Sequence, residues 1–136
     1  MSNAAELHKA VRGAIWGDSD LLEAVGSDAY YGQVPNGKDM PYLMWFTVTN
    51  LPTEVFKKGE GFEESLIQFS IYDKRSSIAD IEGIFDKLDA VFHRGTLTFD
   101  TLDFISCQRE SATGPTRLDD NVWQRTADYR VRFSSE

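Results

Sequence analysis

Leu7, Val11 and Ile15 stand four residues apart, with Ala10 and Ala14 beside them. That spacing lays one apolar stripe along a short helix over residues 6–16. Gly17 interrupts it. Asp18 or Ser19 can cap a second short helix over 20–25, with Leu21, Leu22 and Val25 as its apolar set and Gly26 at its end. Residues 29–40 read as loop, carrying the turn-forming run Val34-Pro35-Asn36-Gly37-Lys38-Asp39 and room for a short strand near Tyr30-Tyr31. From Pro41 the pattern changes. Tyr42 to Thr49 is dominated by aromatic and β-branched residues, the composition of a well-buried strand, and Pro52 is expected to stop it.

Residues 53–63 offer little for a core and read as a hairpin loop around Lys57-Lys58-Gly59-Glu60-Gly61. Ser65 to Tyr72 then alternates, with Ile67, Phe69 and Ile71 on one face and Gln68 and Ser70 on the other. The longest helical stripe follows at about 77–93. Ile78, Ile81, Phe85, Leu88 and Phe92 step by three and four, widened by Ile84 and Val91. Ser77 suits its N-cap, and His93, Arg94 and Gly95 suit its C-terminal end. Residues 97–110 predict a strand with an irregularity near Asp100-Thr101, and 122–133 a second one. In that last strand Trp123, Ala127, Tyr129, Val131 and Phe133 share a face that Arg125 interrupts. Residues 112–121 read as a turn-rich link.

The predicted fold is therefore α+β: an antiparallel sheet of about four to five strands, packed by the long helix at 77–93, with short N-terminal helices. The 136 residues form a single domain, 1–136, with ordinary globular composition. No apolar run nears the roughly 20 residues that span a bilayer, and no charged segment leads into an apolar one as in a secretory leader. Ser2-Asn3-Ala4 has the look of a cloning remnant and is set aside. A net charge of −8 opposes phosphate binding, so neither nucleic acid nor membrane is an expected partner. The single cysteine, Cys107, cannot make an internal disulfide and suits a reducing cytoplasm.

Residues that carry chemistry are sparse. His8 and His93 lack the spacing of a zinc site; His8 reads as a solvated helix residue and His93 as a partner of the helix dipole. Cys107 reads as a small buried apolar residue. Lys58-Gly59-Glu60-Gly61 puts a carboxylate where a phosphate loop needs none. Asp18/Asp20, Glu63/Glu64 and Asp119/Asp120 are adjacent acids in loop-like or exposed surroundings, not carboxyls facing across a cleft. Neither a catalytic constellation nor a cofactor is expected. Arg109, Arg125, Arg130 and Arg132 read as cross-strand ion-pair partners for Asp103, Glu110 and Asp128, with an interface role as the alternative.

Taken in order, Leu21-Leu22-Glu23-Ala24-Val25-Gly26, Tyr30, Val34-Pro35, Pro41-Tyr42 opening a strand, Ile71-Tyr72-Asp73, a helix with Ala79, Ile81 and Leu88, and a closing Tyr129-Arg130-Val131-Arg132-Phe133 resemble the phage tail-completion, or head–tail joining, family. The likeness covers about residues 6–133. It departs at Phe99 to Ile105, which is richer in aromatic and acidic residues. The resemblance implies a structural, non-enzymatic subunit. It implies a homo-oligomer, a hexameric ring, between phage connector and tail-tube proteins. Its place is the virion head–tail junction, reached from the bacterial host cytoplasm during assembly. Contacts are then expected in loops: Phe56, Lys57, Lys58 and Phe62 in the first hairpin, and Arg117, Asp119 and Asp120 in the second. The competing readings are a small ligand-binding or regulatory α+β module, which requires a closed apolar pocket between helix and sheet, and a hydrolase using paired acids.

Overall fold

The computed structural model describes residues 3–54, 61–74, 78–118 and 122–134, with only the backbone described at 49–54 and 61–62. Two N-terminal helices, α1 (Asn3–Trp16) and α2 (Ser19–Ala24), precede β1 (Ala29–Tyr31), β2 (Tyr42–Glu54) and β3 (Gly61–Asp73). Then come α3 (Ile78–Phe92), β4 (Asp103–Arg117) and β5 (Trp123–Ser134). The five strands form one sheet in the order β1-β2-β3-β5-β4. All pairs are antiparallel except β1 with β2, which is parallel. The ten-residue link between them carries the chain back to its starting end, which a hairpin turn cannot do.

All three helices lie on one face of this sheet. Leu7, Val11 and Ile15 of α1, Leu21 of α2 and Ile81, Phe85, Leu88 and Phe92 of α3 are buried against Leu43, Trp45, Phe69, Ile71, Tyr129, Val131 and Phe133. The stripes read from the sequence are buried except at Ile78, the first residue of α3, which is exposed, and at Leu22 and Val91, which are partly buried. Asp18 caps α2, its side chain accepting from the Leu21 amide at 2.9 Å. The expected cap of α3, Ser77, lies outside the described residues. At the other end of α3 the left-handed residue is Arg94 (φ 59°) rather than Gly95. Gly95 is needed for another reason: a Cβ there would lie 1.9 Å from the Val91 carbonyl oxygen.

Three strands have boundaries that differ from the sequence pattern. β2 runs through Pro52, which pairs opposite Glu63. β1 covers only Leu43–Trp45, so β2 is an edge strand at Pro52, the place in a sheet where proline is tolerated. β3 begins at Gly61, so Phe62 belongs to the strand, opposite Thr53, rather than to the loop. β4 begins at Asp103, not near 97, and continues through Gly114-Pro115 to Arg117.

The segment before β4 is irregular yet anchored. Leu97 and Leu102 enter the core from it. Its last two residues are held by Glu6 of α1, whose carboxylate accepts from the Thr101 amide, the Thr101 hydroxyl (2.7 Å) and the Leu102 amide (2.9 Å). Those bonds serve Thr101 and Leu102, the two residues just before β4 begins. Glu6 is 2% exposed, and the bonds from Thr101 hold its carboxyl below the usual range.

Candidate functional site

The register of the sheet decides where the loops go. Glu54 pairs with Gly61, so the β2–β3 connection leaves from one end of the sheet. Glu63 pairs with Phe133 and Asp73 with Trp123, so β5 runs from the far end back towards the β2–β3 end. Arg117 pairs with Trp123, which puts the β4–β5 connection at that far end. The β2–β3 and β4–β5 connections therefore leave opposite ends of the sheet. Phe56, Lys57 and Lys58, and Asp119 and Asp120, lie outside the described residues.

Arg117 is the last residue of β4 and is exposed, its guanidinium 6.0 Å from the Trp123 ring centroid. At the same end stand Leu118, 49% exposed, and Ile78 at the start of α3, 50% exposed. The sequence pattern marks neither as a contact residue. Leu118 was legible as an apolar residue in a polar, turn-rich link. Ile78 was hidden because its spacing assigns it to the α3 stripe.

The arginines of the sheet are ion-paired, mostly with partners other than those expected. Arg130 sits between Glu64 and Glu110, at 3.0 Å from each, and Arg132 reaches Glu64 at 2.7 Å. Arg109 meets Asp89 of α3 at 3.0 Å. Arg125 occupies a helix-facing position, its guanidinium 4.1 Å from the Phe85 ring centroid and its Nε 2.7 Å from Glu82. The predicted Glu110 pairing is present. Asp128 instead accepts from Gln68 (3.0 Å) and Ser111 (3.1 Å).

Groups that elsewhere carry chemistry have structural surroundings here. His8 is half-buried rather than solvated, 4.7 Å from the Tyr31 ring centroid and 5.8 Å from that of Trp45. His93 Nδ1 accepts from the Arg109 amide at 3.1 Å. Cys107 is buried, and burial pushes its thiol up to about 12. The Tyr129 hydroxyl donates to Asp89 at 2.7 Å. The space between α3 and the sheet, where a ligand-binding module would have its pocket, is filled by Phe69, Phe92 and Tyr129, with ring centroids 4.6–5.9 Å apart. A groove of about 420 Å³ beside α1 is lined by Lys9, Arg12, Thr96, Thr98 and Asp100, and Lys9 and Asp100 close on each other in it at 2.7 Å. Among the described residues no three His, Cys, Asp or Glu side chains are grouped to hold a metal ion. No helix among them is long and apolar enough to cross a membrane.

Comparison with known proteins agrees with this geometry. The family model described as "Tail completion protein gp17" matches residues 9–134. No curated protein matches the sequence. A chain in the solved structure titled "Virion of native gene transfer agent (GTA) particle" has the same fold, with a TM-score of 0.79 at 15% identity over 98% of both chains. A second solved chain matches with a TM-score of 0.54 and 13% identity, over 95% of this chain and 89% of that one.

Proposed function

The chain belongs to the tail completion protein gp17 family and has a structural role in phage tail assembly, and from that premise we propose that it works as one subunit of a closed ring at the head–tail junction. The ring is hexameric, made in the bacterial cytoplasm and built into the virion. One rim docks on the connector and the other on the tail tube. The subunit acts by contact and carries out no catalysis.

The observation that supports this reading is the separation of the two hairpins at opposite ends of one sheet. A ring subunit must offer one end to each neighbour, and a rigid sheet with a loop at each end does so without any change of shape. Phe56, Lys57, Lys58 and Phe62 then serve one rim, and Arg117, Asp119 and Asp120 the other. The gene transfer agent chain that shares the fold comes from a virion particle, which is in keeping with such a place.

Mass photometry of the purified chain, alone and with the connector and tail-tube proteins encoded beside it, tests the proposal. Expected is a discrete ring, formed alone or on docking, that electron microscopy finds between head and tail. A chain that stays monomeric with both neighbours present refutes it.

A further inference from the structure

β4 ends the sheet, with β5 on one side and, among the described residues, no strand on the other. An open strand edge is a template on which a further strand can pair. The register of β4 against β5 shifts at three places, and the longest regular stretch between shifts is Ser106 to Arg109. The outer side of that stretch is occupied. The Arg94 amide donates to the Cys107 carbonyl at 2.7 Å, and the Arg109 amide donates to His93 Nδ1 at 3.1 Å. One residue of a parallel neighbouring strand makes the same pair of bonds, giving its amide to one residue and accepting from the residue two places on. Here the end of α3 stands in for it, with an imidazole nitrogen in place of the carbonyl. Arg94 holds a left-handed conformation (φ 59°) at this point, which a residue other than glycine adopts only at a cost.

An imidazole nitrogen differs from a carbonyl oxygen in that it takes up a proton in mild acid. Nδ1 accepts only while it carries none; in the charged ring both nitrogens are donors, and Nδ1 then faces the Arg109 amide donor to donor. The charged groups around the ring are already engaged. Asp89, one turn earlier in α3, is bonded to the Arg109 guanidinium at 3.0 Å and accepts from the Tyr129 hydroxyl of β5 at 2.7 Å. Arg94, next in the chain, is exposed, and the buried Cys107 thiol stays neutral. We propose that His93 is an acid-released lock on the edge of β4. Neutral, it closes Ser106 to Arg109 to any further strand. Protonated, it frees the Arg109 amide, and the same edge of a second copy, freed by the same proton, pairs there about a two-fold axis. The lock does not depend on the ring.

Two substitutions and a change of pH from about 8 to about 5 test it. His93→Phe keeps a ring and removes the acceptor. His93→Asn keeps an acceptor that acid does not protonate. In His93→Phe the Arg109 amide is expected to lose about tenfold or more of its hydrogen-exchange protection already at the higher pH, while the Phe69 and Tyr129 amides keep theirs. Wild type is expected to show the same loss only in acid, and His93→Asn not at all. Sedimentation reads the consequence. His93→Phe at the higher pH, and wild type in acid, are expected to form a larger species than wild type does at the higher pH. His93→Asn in acid controls for the smaller net charge there, which by itself promotes association, and is expected to stay smaller than wild type in acid. Equal Arg109 protection in wild type and His93→Phe at the higher pH overturns the lock. So does protection in wild type that acid leaves unchanged, or wild type and His93→Asn of equal size in acid.

Discussion

Glu6 shows how one buried carboxylate ties distant parts of this chain together. It takes donors from Thr101 and Leu102, 95 and 96 residues away, and so fastens α1 to the segment that leads into β4. Because those bonds hold its carboxyl below the ordinary 4.5, its contribution is fully present above that pH and is lost as pH falls through the lower folded value. Glu6→Gln is therefore expected to lower the melting temperature most at neutral pH, with the gap to wild type narrowing as the solution is made acid. Thermal melts across that range check it, and a gap independent of pH contradicts it. Tyr129 makes a complementary case. Its ring is fully buried, and burial, reinforced by the bond to Asp89, pushes its hydroxyl well above the ordinary 10.0. Tyr129→Phe removes that bond and is expected to cost about 1–2 kcal/mol in urea unfolding at neutral pH. The unfolded wild-type tyrosine ionises near pH 10 and the folded one does not, so wild type loses stability as pH rises beyond that point. The difference between the two proteins is then expected to shrink. An unchanged urea midpoint at neutral pH would show that the hydroxyl contributes nothing.

At the level of elements, β4 is the least regular strand and the one whose residues specify most about its pairing. Its register against β5 shifts between Phe104 and Ser106, between Arg109 and Ser111, and between Thr113 and Thr116. Such irregularities twist an edge strand and blunt its tendency to pair with other chains. Gly114, at φ +100°, makes the last shift possible, since a Cβ would stand 2.7 Å from the Gln124 carbonyl oxygen and 2.8 Å from the Thr116 nitrogen. Gly114→Ala is expected to cost more than about 1 kcal/mol and to speed amide exchange at 112–117 and 122–126 while leaving α3 protected. Wild-type stability with unchanged exchange would mean that the hairpin adapts freely. β4 also marks where the sequence stops being legible. The α3 stripe could be read because a period of 3.6 over fifteen residues has no strand alternative. Leu97, Phe99 and Leu102 look like strand residues because they face the core. Their true state depends on Glu6, which no local window contains. Arg125 interrupts an otherwise clean face because its guanidinium covers Phe85 and meets Glu82, a packing role that alternation alone reads as an error. The candidate contact loops were recognisable from their turn residues. That they leave opposite ends of the sheet was not, because it depends on β5 entering between β3 and β4.

For the molecule as a whole, that topology makes the two hairpins separable. β3 has 13 residues, and at about 3.3 Å per residue it holds the two ends of the sheet roughly 40 Å apart. Side chains at that distance share no contact, so changes at the two ends are expected to act independently. Phe56→Ala with Phe62→Ala removes two apolar side chains at one end. The result expected is binding to one neighbour weakened by about tenfold or more, with binding to the other unchanged. Arg117→Ala with Asp119→Ala and Asp120→Ala is expected to do the reverse. In an infected or induced cell the two sets should then stop assembly at different intermediates. One leaves the subunit on the head without a tail, and the other leaves it on the tail without a head. Electron microscopy of the particles separates these, and melting temperatures near wild type show that the sheet itself is intact. If both sets stop at the same particle, both hairpins must meet the same partner. A body whose loops lie at the two ends of a stiff sheet can achieve that only by lying across its partner, along the plane of the ring rather than through it.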